Sequence, residues 1–141
     1  MTSALSTEAR NFNWLLNHFV GDTSGVTDAV AVSSDGLLMA MSSTLDRGEA
    51  EKVAAIISGF VSLGNSSATT FGFEGLEQVI VAMGRGFLFV SSISGGSCLG
   101  VVATRACDIG LVGYQTRRLV DQAGPVLTPR LIAELRSAVL I

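Results

Sequence analysis

The sequence is poor in charged residues, proline, cysteine and histidine. Charged residues make up 15% of the 141 residues, and there are two prolines and two cysteines. The few basic residues are scattered and the net charge is −3, which argues against a nucleic-acid partner. The longest apolar runs, such as Val79–Met83, are too short to span a bilayer, and MTSALSTEAR lacks the pattern of a signal peptide. Because Cys98 and Cys107 form neither a disulfide framework nor a metal motif, we expect a cytoplasmic protein.

Residues that commonly carry catalysis are scarce as well. His18 is the single histidine and Lys52 the single lysine, so there is no Ser-His-Asp triad and no phosphate-loop lysine. The glycine-rich stretches Gly84–Gly86 and Ser94–Ser97 are each expected to join two strands, and neither presents a helix N-terminus to a phosphate. We therefore expect no catalytic residue, no cofactor and no metal site, and we interpret the chain as a non-enzymatic protein.

Apolar residues are abundant, at 48%, and their spacing predicts two amphipathic helices in the first half of the chain. The first covers Glu8–Phe19. The second, Asp46–Leu63, is the most strongly patterned helix of the sequence, with acidic residues in its first turns. It either ends at Gly64-Asn65 or resumes through Ser66–Thr70.

Between these helices, the stretch Asp28–Ser43 predicts a β-hairpin. Asp35-Gly36 is a strong signal for a two-residue turn. The pairs that this turn implies are Val32 with Met39 and Val30 with Met41. Alanines occupy the other face of the hairpin, where a helix can approach closely.

The second half of the chain predicts three further strands and two helices. These elements are a hairpin over Leu76–Ile93 with its turn at Gly84-Arg85 or Arg85-Gly86, a strand over Ser97–Ala103, a helix over Asp108–Ala123 and a tail helix over Thr128–Val139. The chain ends with the apolar residues Val139-Leu140-Ile141, which we expect to cover a surface. Tight turns make the sheet antiparallel, and its apolar faces require helices on both sides, so we predict an α/β/α sandwich.

The strand Leu76–Met83 is apolar and is expected at an edge of the sheet. Such an edge must be paired or covered. Pairing across a two-fold axis would join two sheets and bring together two copies of the long helix. The alternative is an edge covered by a loop or tail of the same chain.

The order of these elements and several short motifs resemble the Roadblock family, which includes dynein light chains and bacterial MglB-like proteins. The motifs are AVAVSSDGL at 29–37, QVIV at 78–81, GFLFV at 86–90, CLGVVA at 98–103 and DIGLV at 108–112. The resemblance divides the chain into a Roadblock domain over residues 8–124 and a C-terminal tail helix within 125–141.

The resemblance implies a profilin-like fold of the α/β (α+β) type, with five antiparallel strands in the order 2-1-5-4-3. It also implies a homodimer formed through the second helix and the third strand, Asp46–Leu63 and Leu76–Met83. The residues that we expect in the dimer interface are Val53, Ile56, Ile57, Phe60, Val79 and Val81.

Roadblock proteins bind and regulate small GTPases, so the resemblance implies a Ras-like small GTPase as partner, with this chain acting as a GTPase-activating protein or a scaffold. Arg47, Glu51 and Lys52 are our candidate contacts to that GTPase. A sensor-kinase-like membrane protein is a further expected partner, without insertion of this chain into the membrane. The alternatives are a small-molecule-sensing profilin-like module and a structural adaptor in a membrane-associated signalling complex.

Overall fold

Five antiparallel strands form one sheet with helices on both faces. The computed structural model describes residues 5–139. The elements are α1 (Thr7–Asp22), β1 (Val26–Val32), β2 (Leu38–Met41), α2 (Arg47–Phe71), β3 (Gln78–Met83), β4 (Gly86–Ser92), β5 (Cys98–Thr104), α3 (Ile109–Ala123), a 3-10 turn (Gly124–Val126) and α4 (Pro129–Val139). The strand order is β2-β1-β5-β4-β3, so the predicted order and sandwich fold are confirmed.

Each face of the sheet builds its own hydrophobic core. On the alanine face, named for Ala29 and Ala31 of β1, the helices α1, α3 and α4 pack against the sheet. On the valine face, named for Val30 and Val32, α2 packs against the sheet, and Val139 at the end of α4 contacts the margin of this core. The small alanine side chains let α1 approach β1 closely, as the sequence predicted.

The turn between β1 and β2 contains three residues, not the predicted two. The N–H of Ser33 donates to the carbonyl of Leu37 at 2.9 Å, and the N–H of Gly36 donates to the carbonyl of Ser33 at 2.9 Å. Gly36 has a φ of 84°, whereas Asp35 keeps a negative φ. A three-residue hairpin loop needs only one residue in the left-handed conformation, and glycine adopts it without strain.

This longer turn shifts the pairing of the hairpin through a bulge just before Val32. Val32 lies opposite Leu38, so the predicted pair of Val32 with Met39 is wrong. Met39 packs into the core of the alanine face instead. Beyond the bulge, the pair of Val30 with Met41 is confirmed.

Helix α2 is longer than its predicted first segment, because it continues without a break through Gly64 to Phe71. A side chain at position 64 would collide with Leu76, so glycine allows the following loop to pack against the helix. The helix ends at Gly72, which has a φ of 68° and donates its N–H to the carbonyl of Ala68. A left-handed glycine is a common helix stop.

The remaining boundaries lie close to the predicted ones. Met83 pairs with Gly86, so the second hairpin turns at Gly84-Arg85, one of the two alternatives. Strand β3 begins at Gln78, two residues after the predicted start.

Helix α4, the predicted tail helix, packs against the sheet next to β2. Leu131 and Leu135 are buried in the core of the alanine face. Oε1 of Glu134 accepts a hydrogen bond from the N–H of Ser6 at 2.9 Å, and Arg136 lies 3.0 Å from a carboxylate oxygen of Asp35. Leu140 and Ile141, predicted to extend this apolar terminus, lie outside the described residues.

The close packing of α2 on the valine face depends on Gly100 of β5. A Cβ atom at Gly100 would occupy the position of the Ile57 side chain. We expect Gly100→Ala to lower the free energy of unfolding by about 1–3 kcal/mol, because α2 must move away from the sheet. Chemical denaturation measures this change.

Gly59→Ala is the matched control, since Gly59 lies on the exposed side of the same helix with no atom near its missing Cβ. It should raise the free energy of unfolding by up to ~1 kcal/mol through helix propensity. Equal effects of the two substitutions would contradict the close contact at Gly100.

Candidate interaction surface

Helix α2 begins with a reciprocal cap. The carboxylate of Asp46 accepts the N–H of Glu49 at 2.8 Å, and the carboxylate of Glu49 accepts the N–H of Asp46 at 3.3 Å. This capping box satisfies two backbone donors that the first turn would otherwise leave free. The hydrogen bond from the Glu49 N–H is the largest cause of a lowered pKa of Asp46. The start of α2 is therefore well defined.

The side of α2 that faces the sheet carries small residues and one large one. Ala50, Ala54 and Ile57 are buried, and Ile57 has no exposed surface. Ile57 fills the space above Gly100, which brings the helix close to β5.

A second apolar stripe runs along α2 on the side nearest β3. Ile56, Phe60 and Leu63 follow one another at spacings of four and three residues, which places them on one side of the helix. Ile56 is 50% exposed and Leu63 is 68% exposed. Val53 and Phe60 are partly buried and contact the margin of the core on the valine face. This stripe has more apolar surface than one subunit covers.

Strand β3 lies beside this stripe and forms an end of the sheet. Within residues 5–139, it pairs with β4 only. Val79 and Val81 point towards the valine face and are partly buried, whereas Ile80 points to the other face and is 45% exposed. The second stripe of α2 and the edge strand β3 together form one surface, which we call the α2–β3 surface.

Five of the six residues predicted for a dimer interface lie on this surface. They are Val53, Ile56 and Phe60 of α2 with Val79 and Val81 of β3. Ile57 differs, because its side chain is fully buried against the subunit's own sheet. The sequence prediction is corrected at this position: Ile57 supports the helix from below and does not line the surface.

The prediction omitted several exposed residues at the two ends of the α2–β3 surface. Leu63 and Met83 belong to it, and at the end of α2 the ring of Phe71 stacks on that of Phe73 with their centroids 5.6 Å apart. Phe73 is 75% exposed. The pattern Phe-Gly-Phe after an unbroken helical period is the sequence signal that would have located this pair.

Two of the three predicted GTPase contacts, Arg47 and Glu51, lie on the side of α2 away from β3. Nε of Arg47 is 3.0 Å from Oε1 of Glu51, one helical turn away, and both side chains are about half exposed. Glu51 lines a groove together with Leu37 of the β1–β2 turn and Arg136 of α4. Lys52 is exposed but precedes Ile56 by four residues, which places it on the side of the second apolar stripe. A partner could therefore contact the pair of Arg47 and Glu51 while the α2–β3 surface is covered.

The side chains of His18 and Cys98, considered above as possible reactive groups, make packing contacts and local polar contacts. His18 stacks on Trp14 with ring centroids 4.4 Å apart, and its Nε2 lies 2.8 Å from Asp22. Cys98 is buried in β5, where desolvation raises the pKa of its thiol. Among residues 5–139, no three His, Cys, Asp or Glu residues are grouped so that they could hold a metal ion.

No helix in the described part of the chain combines the length and the apolar character needed to cross a membrane.

The fold and the α2–β3 surface define a profilin-like module with an exposed apolar edge. The sequence model described as "Roadblock/LC7 domain" matches residues 12–103. The chain belongs to the Roadblock/LC7 family. No similar protein was found among curated sequences.

Solved structures agree with this assignment. A Roadblock/LC7 domain from Streptomyces avermitilis is 37% identical, with a TM-score of 0.77 over 82% of this chain and 96% of that one. MglB from Myxococcus xanthus is 16% identical, with a TM-score of 0.74 over 89% of this chain and 93% of that one. Profilin IA from Acanthamoeba castellanii is 15% identical, with a TM-score of 0.52 over 81% of this chain and 97% of that one. The last two similarities concern the fold alone.

The cap at Asp46 gives a prediction about the stability of α2 at low pH. The pKa of Asp46 is lower in the folded chain than in the unfolded chain, so its contribution to stability is present above the unfolded pKa and is lost as the pH falls through the folded pKa. Asp46→Ala should lower the free energy of unfolding at neutral pH, because the first turn loses its acceptor. Urea unfolding at a series of pH values measures both effects.

Asp46→Asn is the matched control, since asparagine also caps helices but does not titrate. It should retain more of the stability at neutral pH than Asp46→Ala and should reduce the loss of stability in acid. An acid response equal to that of the parent chain would show that the cap contributes nothing through its charge.

Proposed function

We propose that the chain is a homodimeric Roadblock module that binds and regulates a Ras-like small GTPase and has no catalytic activity of its own. The observation that supports this proposal most directly is the α2–β3 surface of a Roadblock/LC7 family member. An apolar helix stripe beside an unpaired strand is suited to pairing with an identical copy.

The proposed dimer joins two β3 strands in antiparallel pairing and places the two α2 helices side by side. Val53, Ile56, Phe60, Val79 and Val81 would be covered, and Ile57 would hold each helix in place from within its own subunit. The edge strand would then gain the backbone partners that it lacks in a single subunit. Both sources of association, apolar burial and strand pairing, lie on the same surface.

Binding to a GTPase would leave the chemistry to the GTPase. Phosphoryl transfer depends strongly on positioning and electrostatics, so a protein that orients the groups of a GTPase can change its rate. The exposed ion pair of Arg47 and Glu51 lies outside the proposed dimer contact, whereas Lys52 lies at its margin. We propose these three charges as the docking position.

Ile56→Asp combined with Leu63→Asp tests the dimer. Each carboxylate would be buried without a partner in the interface, so the dimer dissociation constant should rise by roughly 100-fold or more. Both residues are at least half exposed in the single subunit, so its fold should persist. Sedimentation velocity over a concentration series measures the change.

Trp14→Asp with Leu37→Asp is the matched control, because these residues of α1 and the β1–β2 turn are similarly exposed and lie at the end of the sheet opposite β3. This variant should have the mass of the parent chain. A parent chain that is monomeric at all concentrations, or a dimer that persists in the first variant, would refute the proposed interface.

Exchanging the charges of the exposed ion pair tests the docking position. Arg47→Glu with Glu51→Arg keeps an opposite-charge pair at the same spacing, so the helix should remain stable. If the pair contacts a GTPase, the affinity should fall about tenfold, or ~1.4 kcal/mol, because the partner's charges now face like charges. The dimer mass should not change.

The assay uses a Ras-like GTPase encoded near this chain, loaded with GTP or GDP. We expect tighter binding to the GTP form and a change in the rate of GTP hydrolysis. Equal binding to both forms would indicate a scaffold, and no binding to either would overturn the proposed partner. An unchanged affinity for the charge-exchanged variant would exclude this pair from the docking position.

A further inference from the structure

Helix α4 crosses the edge of the sheet formed by β2. At its beginning, Leu131 and Leu135 belong to the core of the alanine face. At its end, Val139 contacts the core of the valine face and lines a groove with Ala54 of α2. The helix therefore contacts both cores of the molecule across one edge. The family match ends at residue 103, before this helix begins.

Apolar contacts hold α4 in this position. Leu131 and Leu135 are almost completely buried, and Ile132 and Val139 pack at the margins of the two cores. The ion pair between Arg136 and Asp35 is at least one third exposed on each side, and such pairs stabilise proteins weakly. The hydrogen bond from the Ser6 N–H to Glu134 adds a polar contact to the start of α1. Leu131 and Leu135 are thus the most deeply buried points of attachment.

Under α4, strand β2 retains backbone groups that could pair with another strand. The N–H of Ser42 donates to the carbonyl of Ala29 on β1. Because backbone groups alternate in direction along a strand, the N–H and carbonyl of Met41 point away from β1. In residues 5–139, no backbone hydrogen bond joins α4 to β2. The helix covers this edge with side chains and does not complete the sheet.

We propose that α4 is an edge cover, which prevents β2 from pairing with a second copy of the chain. With β2 covered, association is confined to β3, and two subunits form a closed pair. With both edges open, each subunit could pair at two places, and the assembly would have no natural end. The closed pair in this inference rests on the proposed dimer, whereas the covering of β2 does not.

Displacing α4 within the full chain tests this inference. Leu131→Asp with Leu135→Asp should release the helix from the core, because two buried carboxylates would lack partners. In sedimentation equilibrium, the weight-average mass should then increase with concentration and exceed that of the parent chain at least about twofold. Arg136→Gln is the control, since it removes the exposed ion pair without adding a like charge beside Asp35, and it should keep the parent mass.

Met41→Pro tests whether the increase in mass arises from association through the β2 edge. Proline removes the outward N–H of β2 without breaking a bond to β1, and edge strands tolerate proline in such positions. Added to the α4-displaced chain, it should return the mass to that of the parent. Three results would overturn the proposal. The first two are a mass that does not increase when α4 is displaced, and an increase in mass that Met41→Pro does not abolish. The third is loss of the fold in circular dichroism, which would show that folding itself requires α4.

The same measurement separates this inference from the proposed dimer. If the parent chain is a monomer, the dimer proposal fails. The α4-displaced chain should in that case stop at about twice the parent mass, because only β2 can pair. Growth beyond that mass requires association at both edges. Whether the parent chain is a monomer or a dimer, a return to the parent mass on adding Met41→Pro supports the role of α4 as a cover of β2.

Discussion

Ile57 packs on Gly100, and this one contact sets the position of α2 above the sheet. Glycine has no side chain, so the isoleucine of the helix fills the space directly over β5. Protein interiors are closely packed, and a displacement here would move the whole helix. Because Ile57 faces inward, its neighbour Ile56 and the following Phe60 and Leu63 face β3. The apolar surface of the molecule is therefore a consequence of how the core is packed.

The two edge strands of the sheet, β3 and β2, differ in how far other parts of the chain cover them. At β3 the edge has no cover within the described residues, and the apolar stripe of α2 extends it. At β2 the helix α4 lies across the edge and contacts both cores. Unpaired edges promote association, so a chain with one open edge is suited to a defined pair. As the proposed edge cover, α4 would confine association to β3.

A module of this kind can influence a reaction without holding catalytic groups. The outward charges Arg47 and Glu51 form an ion pair on the side of α2 away from β3, next to the groove that contains Leu37 and Arg136. The apolar and the charged sides of α2 are therefore separate. The proposed dimer contact and the proposed docking pair therefore lie on different sides of the same helix. Glu51 and Ile56 are five residues apart, which turns their side chains to well-separated directions.

Local patterns were sufficient to predict the element order and the two-sided core, whereas the strand order followed from the resemblance to the Roadblock family. Period-two alternation, helical periodicity and caps such as Asp46 depend on neighbouring residues only, so the sequence by itself determined them. Three features were decided by tertiary structure. The bulge at Val32 follows from the hydrogen bonds of its turn, the length of α2 from the packing of Leu76 on Gly64, and the inward direction of Ile57 from the space at Gly100. Periodicity shows that a helix has an apolar side, but only contacts between distant residues decide which part of that side is buried in the subunit and which part is left for another molecule.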